Sequence, residues 1–371
     1  MNGNGNGAPI AWKDSVIHWV SDTGPLSSRI TNEEAVSWVN EIFSTWAGVE
    51  LSTADGGSVK AVNLSVSYDG DVGYDVDLSN YIKASSEAYL KAVVIFDPEG
   101  EIVDKEFGAG SHKYIIGFAA PMSSNGVFFT GGVVVINGYF IGNGPKKVSE
   151  NKYKAALLHE AGHLLNLDHT QANISAAKRV EDGDISLVDE IPTMYPILYS
   201  EHQFTPHADD VIALAMQYPS DEYKSAFCEI TGSLIGSDGG GFQGANMEAH
   251  AKDAAFEYSD ARTFVSGVMY PAGTKSGEYV LGGIVPGREY VVGYSGIDPS
   301  FVGGSSIEPY DPPLSDIVPT VINLGYIACS SGGVEGALES ARVDPVPTTG
   351  ANENAETVEE GGGGGGCSLV R

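Results

Sequence analysis

The chain has 371 residues, of which 49 are acidic and 20 basic, giving a formal net charge of −29. A field of that sign repels nucleic acid and anionic membrane surfaces and concentrates cations, so nucleic acid is excluded as an expected partner. Hydrophobic residues make up 42% of the chain, enough for more than one core, and no run of 18 apolar residues is present to span a membrane.

In chain order, residues 1–10 open with alternating Asn and Gly and read as a flexible leader, like a trimmed mature terminus. Ser15 to Val20 alternates as a strand. Thr31-Asn32-Glu33-Glu34 then predicts a capped helix whose apolar positions Ala35, Val39, Ile42, Phe43 and Trp46 follow the 3.6-residue period. Further strands are predicted at Val59 to Val66, Ala92 to Phe96, Lys113 to Phe118 and Val127 to Ile136. Between the first two lies an acidic cluster, Asp69, Asp71, Asp75 and Asp77, with oxygens enough for a calcium ion. It lacks the glycine and the bidentate glutamate of an EF-hand loop, and a solvated acidic loop is the alternative. Ser149-Glu150 opens the next helix.

That helix carries the most informative run of the chain, Leu158-His159-Glu160-Ala161-Gly162-His163, followed by Asn166 and His169. Positions i and i+4 share a helix face, so His159 and His163 can present ring nitrogens to one point. A catalytic zinc ion takes three protein ligands and keeps a fourth position for water, and His169 supplies the third imidazole if the chain turns sharply before it. Asn166 stands at that turn, and asparagine is the non-glycine residue that enters the left-handed region most readily. Glu160, next to a ligand, is the candidate general base.

These residues resemble the metzincin metalloproteases, whose signature is His-Glu-x-x-His-x-x-Gly-x-x-His followed by a methionine-containing turn. Asn166 takes the place of the signature's glycine. Ile191-Pro192-Thr193-Met194-Tyr195-Pro196, whose methionine stands 25 residues after His169, is similar to the Met-Tyr-Pro turn of the matrixins, and 204–219 is similar to their closing helix. The resemblance implies an α+β fold over 11–222, a twisted mixed sheet with an active-site helix, in which Met194 is a structural floor beneath Zn²⁺. It also implies that Ala109 to Ala120 holds the edge strand that pairs with an extended substrate. Thr170 to Pro219 would be a largely irregular lower part.

Short alternating strands with Gly and Pro turns over 228–330 resemble a carboxypeptidase-regulatory-like, prealbumin-like β-sandwich, here an accessory domain without chemistry of its own. Cys228 and Cys329 bracket it as a candidate disulfide, two buried thiols being the alternative. Residues 331–371, acidic and then Gly-rich up to Cys367, are expected to be disordered. The Gly-rich run with its single Cys resembles the sorting signals of some bacterial surface proteins, which continue into a hydrophobic helix not found in this segment. The expectation is therefore an extracytoplasmic, secreted or cell-surface bacterial zinc endopeptidase acting on protein or peptide, with calcium as a further candidate ion. A catalytically silent surface adhesion protein and a zinc hydrolase of a non-peptide amide are the alternatives.

Overall fold

The computed structural model describes residue 3 and residues 7–297 except 123–126, 143–146, 236–238, 254–259, 271–273 and 275. Beyond 297 it describes the backbone of three strands. The first part runs β1 (Val16–Ser21), α1 (Asn32–Ala47), β2 (Ser65–Asp71), α2 (Tyr81–Glu87), β3 (Ala92–Asp97) and α3 (Glu101–Phe107). It continues through β4 (Ile115–Met122), β5 (Gly131–Asn137), α4 (Glu150–Leu164), α5 (Ile174–Glu181), β6 (Ile197–Leu198), α6 (Ala208–Gln217) and α7 (Asp221–Ala226). Then come β7 (Cys228–Ile235), β8 (Ala245–Ala251), β9 (Ala261–Val265), β10 (Glu278–Ile284), β11 (Tyr290–Gly296), β12 (Ile322–Ile327), β13 (Ala341–Arg342) and β14 (Gly366–Val370).

The fold is mixed α/β with several sheets. The largest has the order β6-β14-β4-β5-β3-β1-β2. β2, β1, β3 and β5 are mutually parallel, and β4 runs antiparallel to β5. Both faces of this sheet are covered, which is why β3 reads Ala-Val-Val-Ile-Phe-Asp and is buried at every position. Successive side chains point to opposite faces. Trp19, Val94, Phe96, Val134 and Ile136 join one core with α1 and α4, while Val20, Val93, Ile95, Val133 and Val135 join another with α2 and α3. α1 is capped as its sequence predicts: the Thr31 hydroxyl accepts from the Glu34 amide, and the Glu34 carboxylate accepts from the Thr31 amide.

Three parts of the sequence reading change. The strand expected over Val59 to Val66 is broken, because Ala61, Val62 and Leu64 are drawn into the core. Their backbone there pairs with the end of α6, Asn63 N–H donating to Tyr218 O and Ser220 N–H to Ala61 O. α2 and α3, seven residues each, went unread because they are too short for a periodic signal. The lower part is less irregular than expected, since it holds α5 and several 3₁₀ turns before α6.

From 228 on, the strands form a three-stranded sheet, β10-β7-β13, and a four-stranded sheet, β9-β8-β11-β12. Their apolar residues, among them Ile230, Leu281 and Tyr290, belong to the same continuous core as Ile212 and Tyr223. Gly283 N–H donates to the Tyr223 hydroxyl, and Gly283 lies so close to Ile212 that a Cβ there would fall 2.5 Å from its Cδ1. Within the stretch read as disordered, 341–342 and 366–370 are strands, β14 adding to the central sheet. Strand pairing supplies backbone partners that such a segment's sparse apolar side chains do not announce. No helix among the described residues is long and apolar enough to cross a membrane.

Candidate metal centre

α4 begins at Ser149, whose hydroxyl accepts from the Lys152 amide, and from Ala155 to its end at Leu164 every residue is buried. Small residues let it lie that deep. A Cβ at Gly162 would fall 2.3 Å from Met194 Sδ, so Met194 packs directly under the turn between the two helix histidines. A Cβ at Gly117 of β4 would fall 3.1 Å from Glu160 Cγ, so the glutamate side chain lies against the bare backbone of that strand. The indole of Trp46 donates to Leu158 O and the Tyr153 hydroxyl to Asn137 O, fixing the helix between α1 and the sheet.

The helix stops where the sequence places the turn. Asn166 has φ of 72°, Leu167 N–H donates to Gly162 O, and Asn166 N–H donates to His163 O. This is the paired bonding of a Schellman terminus with a left-handed residue just past the cap. The Asn166 amide also donates to Ile10 O at 2.9 Å and to Gln217 Oε1 at 3.2 Å. A glycine would turn as well but would not tie this corner to the N-terminal segment and α6. The carbonyls of Leu164 and Leu165 accept from the Trp12 indole and the Tyr218 hydroxyl, so the buried helix end keeps its acceptors satisfied.

The turn brings His169 back to the helix. The rings of His159, His163 and His169 have centroids 4.6, 4.8 and 5.3 Å apart, and one ligand nitrogen from each lies within 4.8 Å of the others. His159 Nδ1 donates to Thr193 O at 2.7 Å and His163 Nδ1 to Leu167 O at 2.8 Å, which selects the tautomer that leaves each Nε2 a lone pair. Both Nε2 atoms are buried without a hydrogen-bond partner, an arrangement that is costly unless something binds there. Burial, reinforced by the neighbouring imidazole, holds His159 well below its ordinary range and His163 down to about 3, so both are neutral. Three buried imidazoles with convergent nitrogens can bind a metal ion.

The other site residues read from the sequence fare differently. Glu160 is fully buried beside His159, and Met194 is buried with its carbonyl accepting from Thr170 N–H. The acidic cluster does not converge: among the described residues, the three histidines are the group of His, Cys, Asp or Glu whose ligand atoms draw together. Asp69 accepts from Ser67 and faces His18, Asp71 accepts from Gly73 N–H, and Asp77 accepts from Ser79 at the start of α2. Asp75 lies against Gly24. Separate local bonds engage these carboxylates, so the calcium expectation is set aside. Cys228 is disulfide-bonded. Cys329, its expected partner, lies outside the described residues.

The sequence reading missed the carboxylates that hold the site. Asp210, in the first turn of α6, accepts from the amides of Thr193 and Met194 at 3.0 Å each and from His207 N–H at 2.8 Å. Its neighbour Asp209 accepts from the Thr170 hydroxyl at 2.5 Å, one residue beyond His169. Burial raises the carboxyls of both, Asp209 to about 6. The signal available was the tandem of acids opening an otherwise apolar helix. No family model matches the chain, and no curated protein matches it.

Proposed function

We propose that this chain is a zinc-dependent endopeptidase of metzincin, matrixin-like type. The observation that carries the reading is the convergence of the His159, His163 and His169 ring nitrogens next to a buried carboxylate, Glu160, under β4 of the sheet. An all-nitrogen set of three imidazoles suits zinc, and leaves a position open for water. Zinc held there supplies Lewis acidity, bringing the pKa of water towards about 7.

The chain's own groups supply the rest. Thr193 O and Leu167 O hold the imidazoles in register, so little reorganisation accompanies binding. Glu160 takes the proton of the attacking water and delivers it to the leaving amide nitrogen. β4, expected to be the edge strand, lies between β5 and β14 in the sheet, so its backbone donors and acceptors can orient the scissile carbonyl of an extended peptide only where β14 gives way. Met194, packed on Gly162, and Asp210, bonded to the Met194 amide, keep the floor of the site rigid. The strands from 228 on serve as a β-sandwich accessory domain. The disulfide at Cys228 supports an oxidising, extracytoplasmic location, and the net charge of −29 argues against nucleic acid as a substrate.

The test is digestion of a peptide library by the purified protein, with and without a chelator, followed by zinc restoration. Chelator-sensitive cleavage restored by zinc supports the reading. A zinc-loaded protein that cleaves no peptide but hydrolyses small amides points to the non-peptide alternative.

A further inference from the structure

β4 is paired with β5 on one side only, and its other side is taken by a segment of the same chain. β14 runs antiparallel to β4, with Gly366 opposite Ala119, Cys367 opposite Phe118 and Ser368 opposite Gly117, then a register shift that sets Leu369 opposite Ile115. It also lies parallel to β6, with Leu369 opposite Ile197 and Val370 opposite Leu198. β6 begins three residues after Met194, so β14 bridges the strand above the metal helix and the segment that follows the methionine turn. It packs on α4 in doing so. Ser368 is opposite Gly117, the residue against which Glu160 lies.

We infer that residues 366–370 occupy the peptide groove of the metal site and compete there with incoming peptide. The consequence for catalysis rests on the endopeptidase reading; the occupancy itself does not. A bound segment on both rims leaves no free strand edge for a second peptide, since each edge amide and carbonyl pairs once. Tethering makes even a weak ligand effective, because a covalently linked segment has an effective concentration of about a millimolar. A groove that binds such a segment with a Kd near that value is closed about half of the time, and a tighter one for longer.

The experiment uses the full chain carrying Cys367→Pro together with Ser368→Pro. Both positions are paired with β4 and consecutive strand amides face opposite sides, so one of the two prolines removes a donor towards β4. Hydrogen exchange of the 115–119 amides is followed in parent and variant. The expected result is that alternate amides, those facing β14, exchange at least about tenfold faster in the variant while those facing β5 stay protected. Unchanged exchange overturns the occupancy, whether or not the protein cleaves peptides. With zinc bound, the variant is expected to show a several-fold higher kcat/KM through a lower KM at constant kcat, reversed by added synthetic Gly-Gly-Gly-Cys-Ser-Leu-Val-Arg. Equal kcat/KM in parent and variant overturns the competition. Altered exchange with no hydrolysis by either protein leaves the occupancy standing and removes the endopeptidase reading.

Discussion

Asp209 Oδ1 accepts the Thr263 amide at 2.6 Å and its hydroxyl at 3.0 Å, while Oδ2 accepts the Thr170 hydroxyl, so one buried carboxylate joins β9 to the residue after His169. The strands beyond 228 therefore reach the metal loop through hydrogen bonds as well as through shared apolar packing. Asp209→Ala leaves buried donors unpaired and is expected to cost about 2 to 4 kcal/mol of stability. Thr263→Val keeps the amide bond and is expected to cost about 1 kcal/mol. Urea midpoints measure both, and equal losses in the two variants would contradict the arrangement.

The metal content of the purified protein is expected to be about one zinc per chain. Glu160→Gln is expected to keep that content and lose hydrolysis, because the carboxylate moves a proton and is not one of the three imidazoles. His169→Ala is expected to release the metal. Zinc loss in the glutamine variant, read by elemental analysis, would show that these roles are misassigned.

Asn166 makes two separable contributions. Asn166→Gly is expected to bind metal as the parent does but to lose on the order of 1 kcal/mol per side-chain hydrogen bond to Ile10 and Gln217. Asn166→Val places a β-branched side chain at a φ of 72° and is expected to weaken zinc retention, since the strain moves His169. A valine variant with the parent's zinc affinity would refute the link between this turn and the third ligand.

Asp22, at the end of β1, gives a pH prediction. Burial, with a smaller push from the Asp75 charge, raises its carboxyl from 3.8 to about 8, against lowering hydrogen bonds from the backbone of Phe96, Val76 and Gly24. Its folded value lies above the unfolded one, so the folded state holds the proton more tightly. Stability falls as pH rises from about 4 to about 8, by a total on the order of a few kcal/mol, and levels off above that. Asp22→Asn removes the ionisable group and is expected to match the parent near pH 4 and exceed it at pH 9. Thermal midpoints across that range decide it; parallel curves for the two proteins would rule the assignment out.

Local sequence was enough for the features whose physics is local. The spacing of His159 and His163, the left-handed tolerance of Asn166, the Thr31 capping box and the apolar strand run of β3 each depend on neighbours within a few residues, and each is found in the structure. The partners of those features were decided by contacts distant in sequence. Thr193 O meets His159 across 34 residues, Asp209 meets Thr263 across 54, and β14 meets β4 across some 250. Nothing in a stretch such as Gly366 to Val370 records which strand edge it will cover, because backbone hydrogen bonds are open to any sequence. The acidic cluster shows the converse: four aspartates close in sequence make a common ion a candidate, and local turn and side-chain bonds engage their carboxylates separately.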